Sequence, residues 1–95
     1  MADRHFYVVV YDVVSDKRRL KIARYLESLG ERVQYSVFEV YLTETELTRL
    51  LRKLEKLLNV KEDSVRVYNL CNACRGKVRT LGIGQVTAPP GVVIV

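Results

Sequence analysis

The stretch HFYVVVYD, His5 to Asp12, decides the fold. In an extended chain Phe6, Val8 and Val10 share one face with Asp12, and Tyr7, Val9 and Tyr11 share the other. A strand apolar on both sides belongs in the middle of a sheet and wants cover on both faces. Asp12 ends the run as a lone carboxylate, and the basic cluster Lys17-Arg18-Arg19 follows closely. An acid at a strand tip beside clustered cations is a place to hold a metal and a phosphate.

Working outward, Ser15 is an N-cap for a helix over about 16–29, with Asp16 at the positive end of the dipole. Leu20, Ile22, Ala23, Leu26 and Leu29 form its apolar stripe, and Lys17, Lys21, Arg24 and Ser28 its wet face. Gly30 is the expected C-cap. Arg19 sits at core spacing with Ala23 and Leu26, so its charge needs a counter-charge near the strand tip, either Asp12 or a phosphate.

Residues 31–42 are strand-like, but the alternation slips. Val33, Tyr35 and Val37 are apolar at odd positions, then Phe38, Val40 and Leu42 at even ones. The slip predicts a bulge or a tight hairpin near Ser36–Phe38. Thr43 and Glu46 make a capping box for a helix over about 44–58, whose Leu47, Leu50, Leu51, Leu54, Leu57 and Leu58 recur at helical spacing. After a polar turn at 59–63, Ser64 to Cys71 alternates as a strand. Lys77 to Ile83 reads as a further short strand, Gly84 to Gly91 as a loop, and Val92 to Val95 as a terminal strand that needs a partner.

The order β-α-β(β)-α-β predicts an α+β, ferredoxin-like βαββαβ sandwich with an extra C-terminal strand. Residues 1–83 form the domain, and 84–95 a loop and strand pairing with a second subunit or another protein. Helices cover one sheet face only, so a homodimer packed sheet to sheet is the economical arrangement.

The chain has 95 residues, is 48% apolar and carries a net charge of +5. That size suits one small domain. Residues 64–95 hold Arg66, Arg75, Lys77 and Arg79 and no acid, a balance that favours a polyanion such as nucleic acid. No apolar run approaches the roughly 20 residues that span a bilayer. No signal peptide is visible, so a cytoplasmic protein without membrane contact is expected.

YDV at 11–13, DKRR at 16–19, GERVQYSVFEVYLT at 30–43 and DSVRVYNL at 63–70 resemble the small CRISPR-associated spacer-acquisition proteins, the second Cas family, often called CRISPR-associated endoribonucleases. The resemblance runs in order from about residue 6 to residue 70. It implies a ferredoxin-like homodimer in which Asp12 faces its copy, the pair sharing one Mg²⁺ (or Mn²⁺). It implies that Tyr11, Arg19, Arg32, Ser36 and Phe38 surround that site, with Asp12, Arg19 and Tyr11 catalytic. Arg18, Arg19, Arg32, Ser36 and Phe38 would then bind nucleic acid, single-stranded RNA or double-stranded DNA. It further implies a CRISPR integrase subunit as partner in spacer acquisition. The CNAC stretch and the Pro-Pro loop depart from the family pattern.

The residues leave alternatives. Asp12 either caps the following turn or binds Mg²⁺, a hard cation that takes oxygen ligands. One carboxylate per chain is thin equipment for a nuclease, which leaves a non-catalytic DNA-binding adaptor bridging integrase dimers as the rival. Lys21 and Arg24 are either phosphate contacts or a solvated helix face. Arg32 pairs with a phosphate, Glu31 or Glu39. His5 lies at the far end of the strand from Asp12 and reads as an ordinary surface residue. Cys71 and Cys74 form a single CxxC, half of a zinc site at most, and read as two reduced thiols or an incidental disulfide.

Overall fold

The computed structural model describes residues 3–84 and 86–88. β1 (His5–Asp12) lies inside a four-stranded sheet. β2 (Gly30–Gln34) and β3 (Val37–Leu42) flank it on one side, and β4 (Ser64–Leu70) on the other. The order β2-β3-β1-β4 is antiparallel at every junction. With helices α1 (Asp16–Glu27) and α2 (Glu44–Leu57) in the two crossovers, this is the ferredoxin-like fold.

The two faces of β1 differ as its alternation requires. Tyr7, Val9 and Tyr11 are buried with Phe38, Val40 and Leu42 of β3 beneath Ile22, Ala23, Leu26, Leu50 and Leu54 of the helices. The opposite face carries Phe6, Val8 and Val10, in register with Tyr41, Glu39 and Val37 of β3 and with Leu70, Tyr68 and Arg66 of β4. Val8 and Val10 are half-buried there.

Both helix starts follow the sequence reading. Ser15 accepts the Arg18 N–H at 3.3 Å. Thr43 and Glu46 close a reciprocal capping box at 3.2 and 2.9 Å. The hairpin also follows. Tyr35 and Ser36 form the turn, and the register shifts between Arg32 and Gln34, so the parity slip is a bulge beside a tight turn.

Several expectations are corrected. Gly30 is not a C-cap; Ser28 is, and Gly30 starts β2. Its lack of a side chain serves a close approach, since a Cβ there would lie 2.3 Å from the Glu39 carbonyl oxygen. Leu20 and Leu51, placed on apolar stripes, are 51% and 46% exposed. Lys77 to Ile83 forms no strand. Gly82 and Gly84 take φ of +79° and +128°, values that turn the chain out of extended geometry. The CNAC stretch instead makes a short helical turn, α3 (Asn72–Arg75). The terminal strand expected at Val92 to Val95 lies outside the described residues.

The second sheet face is also less bare than expected. Arg75 Nη1 donates to the Tyr41 hydroxyl at 2.6 Å, and that hydroxyl donates to the Thr87 carbonyl at 2.9 Å. Thr87 in turn donates its N–H and hydroxyl to Glu39 Oε1, at 2.9 and 2.6 Å. α3 and residues 86–88 thus cover the Phe6–Tyr41 end of that face. Among the described residues none covers the Val10–Asp12 end.

Candidate functional site at the tip of the first strand

The chain reverses at the end of β1, and two polar anchors hold the reversal. Arg19 Nη1 donates to the Val13 carbonyl at 3.1 Å. The Val14 N–H donates to Asp63 Oδ1 at 3.0 Å. Asp12, immediately before, is exposed and points to the open sheet face in register with Ser64. Arg66 lies two residues on along the same face, level with Val10. Among the described residues Asp12 joins no ion pair. It also caps no turn, because Ser15 caps α1 and Asp63 takes the Val14 amide.

Tyr11 points the other way, into the helix-covered core, where its ring stacks with Phe38 at 6.2 Å. The Tyr11 hydroxyl donates to the Tyr35 carbonyl at 3.5 Å, and its backbone N–H to the Ser36 carbonyl at 3.1 Å. Arg32 reaches that same Tyr35 carbonyl through Nε and Nη2, at 3.2 and 2.7 Å. Its guanidinium lies over the Tyr35 and Phe38 rings, 5.4 and 5.8 Å from their centroids, and pairs with Glu27 at 3.7 Å. Burial pushes the Tyr11 phenol above its ordinary value, against the pull of Arg32. The phenol is therefore a hydrogen-bond donor near neutral pH and not a base.

The structure thus brings Tyr11, Arg32, Ser36 and Phe38 together around the hairpin turn, but on the face of β1 opposite Asp12. Phe38 is 0% exposed, which leaves it no surface for a nucleic acid; it supports Arg32 and Tyr11 from below. Arg32 pairs with Glu27, not with Glu31 or Glu39.

The helix cations are placed differently from the sequence reading. Arg19 pairs with Asp16, one turn away on the same helix, and not with Asp12. Arg18 donates Nε to Asp63 Oδ2 at 2.8 Å and Nη2 to Glu62 at 3.0 Å. The Arg18 guanidinium holds the Asp63 carboxyl well below the usual carboxylate range, helped by the N–H groups of Asn59 and Val14. Both arginines therefore have their charge already matched within the chain. Lys17, Lys21, Arg24, Arg49, Arg52 and Lys56 are exposed and in none of these ion pairs.

Sequence reading missed Asp63, the side chain on which α1, the 59–63 turn and the entry to β4 converge. Its one signal is position: an acid four residues after Asn59, directly before a strand. It missed Tyr35 as the shared acceptor and Arg66 as the cation on Asp12's own face.

A metal fit can be judged from the donors. Among the described residues no group of three His, Cys, Asp or Glu side chains gathers anywhere. Asp12 alone is half a site; paired with its copy it makes the one or two carboxylates that Mg²⁺ accepts alongside water and phosphate oxygens. No helix among the described residues is long and apolar enough to cross a membrane.

The sequence profile of the family described as CRISPR associated protein Cas2 matches residues 5–78. A protein of Rhodospirillum rubrum named CRISPR-associated endoribonuclease Cas2 4 is 47% identical over 76 residues. That match takes in 80% of this chain and 61% of the relative's own length. CRISPR-associated endoribonuclease Cas2 2 of Synechocystis is 48% identical over 90 residues, 94% of this chain and 97% of the relative. Among solved structures, a chain of a partial Cas6-RT-Cas1–Cas2 complex superposes with a TM-score of 0.69 at 34% identity. It covers 81% of this chain and 90% of its own.

Proposed function

The chain belongs to the CRISPR associated protein Cas2 family, and we propose that it acts in spacer acquisition as a homodimer that hydrolyses phosphodiester bonds of RNA or double-stranded DNA. The observation that carries this reading is Asp12: an exposed carboxylate at an anchored strand tip, in no ion pair among the described residues, beside an apolar face that those residues cover only in part. Related proteins bear the name endoribonuclease, which agrees with such an activity.

The roles divide by face. Asp12 from each subunit would hold Mg²⁺ or Mn²⁺ across the two-fold axis. The bound cation would supply an activated water and neutralise the charge that develops on the phosphate. Arg66, on the same face, would draw the nucleic-acid backbone toward the carboxylates. Arg32 and Tyr11 would fix the hairpin turn that backs the strand tip. Exposed Lys17, Lys21 and Arg24 would hold more distant phosphates, giving affinity without sequence preference.

The second reading is a DNA-binding adaptor that bridges integrase dimers. It is favoured by the single carboxylate per chain and by the likeness to the chain solved within a Cas1–Cas2 assembly. One experiment separates the two. Purified protein and Asp12→Asn are incubated with labelled single-stranded RNA and duplex DNA, with Mg²⁺ or with EDTA, and subunit state is measured by sedimentation. Cleavage that requires the metal and is lost in a still-dimeric Asp12→Asn supports the hydrolase. Equal trace cleavage in both proteins rejects it and leaves the adaptor. A monomer at micromolar concentration rejects the shared site altogether.

A further inference from the structure

The dithiol after β4 has no part in the reading above. Cys71 and Cys74 are both exposed and unlinked. Cys71 leaves the strand in an extended conformation, and the chain then turns at once into Asn72–Arg75. The turn folds Cys74 back onto Cys71, whose Sγ accepts the Cys74 N–H at 3.4 Å. Residues three apart in a helical turn have Cβ atoms about 5–6 Å apart. A disulfide needs its Cβ atoms about 3.5–4.5 Å apart, so closing the pair requires this exposed turn to tighten by about an ångström. Tetrahedral zinc sites take four ligands, and no third His, Cys, Asp or Glu joins these two among the described residues. The remaining chemistry of two adjacent, accessible thiols is exchange with another disulfide.

We propose that Cys71 and Cys74 form a reversible dithiol–disulfide couple that exchanges with small-molecule disulfides of the glutathione class, with Cys71 as the attacking sulfur. The Cys71 thiolate attacks one sulfur of the external disulfide. A mixed disulfide forms, and one small thiolate leaves and takes up a proton. The Cys74 thiol gives its proton to water, and its thiolate attacks the Cys71 sulfur. That forms the internal disulfide and expels the second small thiol. Protein dithiol and one external disulfide thus become protein disulfide and two thiols, the two electrons passing from the cysteines to the reagent.

Geometry assigns the order of attack. The Cys74 N–H points at the Cys71 sulfur at 3.4 Å, and this contact, with the neighbouring Cys74 thiol, lowers the Cys71 thiol below its ordinary value. The same contact raises Cys74. The thiolate is the nucleophile in exchange, so Cys71 goes first and Cys74 resolves. A chain of contacts ties this turn to the sheet: Arg75, next after Cys74, is fixed to Tyr41.

The test uses the full-length protein with oxidised glutathione as probe. Reduced protein, Cys71→Ser and Cys74→Ser are exposed to graded ratios of oxidised to reduced glutathione. They are then quenched in acid, alkylated and weighed intact. The expected result is a wild-type species two hydrogens lighter that takes up no alkylating agent and returns to the dithiol with excess reduced glutathione. Cys74→Ser should accumulate one glutathione adduct. It should react at least about threefold faster near pH 7 than Cys71→Ser, the net gain once a larger thiolate fraction is set against weaker nucleophilicity. Separate adducts on both wild-type cysteines, or no reaction, would overturn the couple. Equal rates in the two variants would overturn the assignment of Cys71.

Discussion

Phe38 separates a structural from a contact role more cleanly than any other residue of the site. Its ring is wholly buried, stacks with Tyr11 at 6.2 Å and lies beneath the Arg32 guanidinium. Phe38→Ala removes the ring from a core that cannot fully collapse around the gap, a loss of about 3–5 kcal/mol. Against a total of about 5–15 kcal/mol for a folded domain, the variant remains folded at 25 °C but is much weakened. With a urea dependence of about 1.5–2 kcal/mol per molar, the midpoint should fall by about 2–3 M. The chain has no tryptophan, so far-ultraviolet circular dichroism is the suitable signal. Phe38→Leu keeps most of the volume and should cost under about 1.5 kcal/mol. Nucleic-acid binding by both variants, measured well below their midpoints, should stay close to wild type. The reasoning fails if Phe38→Ala unfolds at the wild-type urea concentration while losing nucleic-acid affinity. That outcome would make the ring an accessible contact and not a core member.

The remaining predictions concern the anchors. Asp63 has its folded carboxyl depressed, so the stability it contributes is present above about pH 4, the ordinary range of a free Asp, and is lost as pH falls below it. Asp63→Asn should therefore lower the urea midpoint at pH 7, and the gap from wild type should narrow at about pH 3; an equal gap at both values would refute the assignment. Thr43→Ala removes half of the capping box that starts α2 and should cost about 1 kcal/mol, read as a midpoint lower by about 0.5–0.7 M. No change would mean that the Glu46 side chain alone satisfies the helix start.

Local signals told most of the fold. The leucine spacing of α2, its Thr43–Glu46 box, the apolar alternation of β1 and the parity slip at the hairpin are each carried by neighbours in sequence. Those elements stand where the spacing puts them. The misreadings came where distant parts of the chain compete. Lys77 to Ile83 alternates like a strand, but glycines with positive φ turn it away, and Arg75 commits the preceding residues to Tyr41. Leu20 has helical spacing yet is half exposed, whereas Ile22 and Leu26 are buried. At the site, Asp12 was legible as a bare acid at a strand end. The partner of Arg19 was not, because Asp16 competes for it from one turn away. The alternation of β1 already put Tyr11 and Asp12 on opposite faces, but not which of the two faces the helices cover; the structure puts Tyr11 on the covered one. Asp63 became visible only once folding drew three separate segments onto it.

The clamp just beyond Asp12, with Arg19 on the Val13 carbonyl and Asp63 on the Val14 amide, makes the strand tip a fixed arm in place of a searching loop. A carboxylate mounted so stiffly cannot wander to find its counterpart. In the proposed homodimer, the gap between two such arms would be set by how the subunits seat against each other. Adjusting catalysis would accordingly mean sliding or tilting one whole body against its twin, and substitutions far from any acid could throttle turnover by changing that seating.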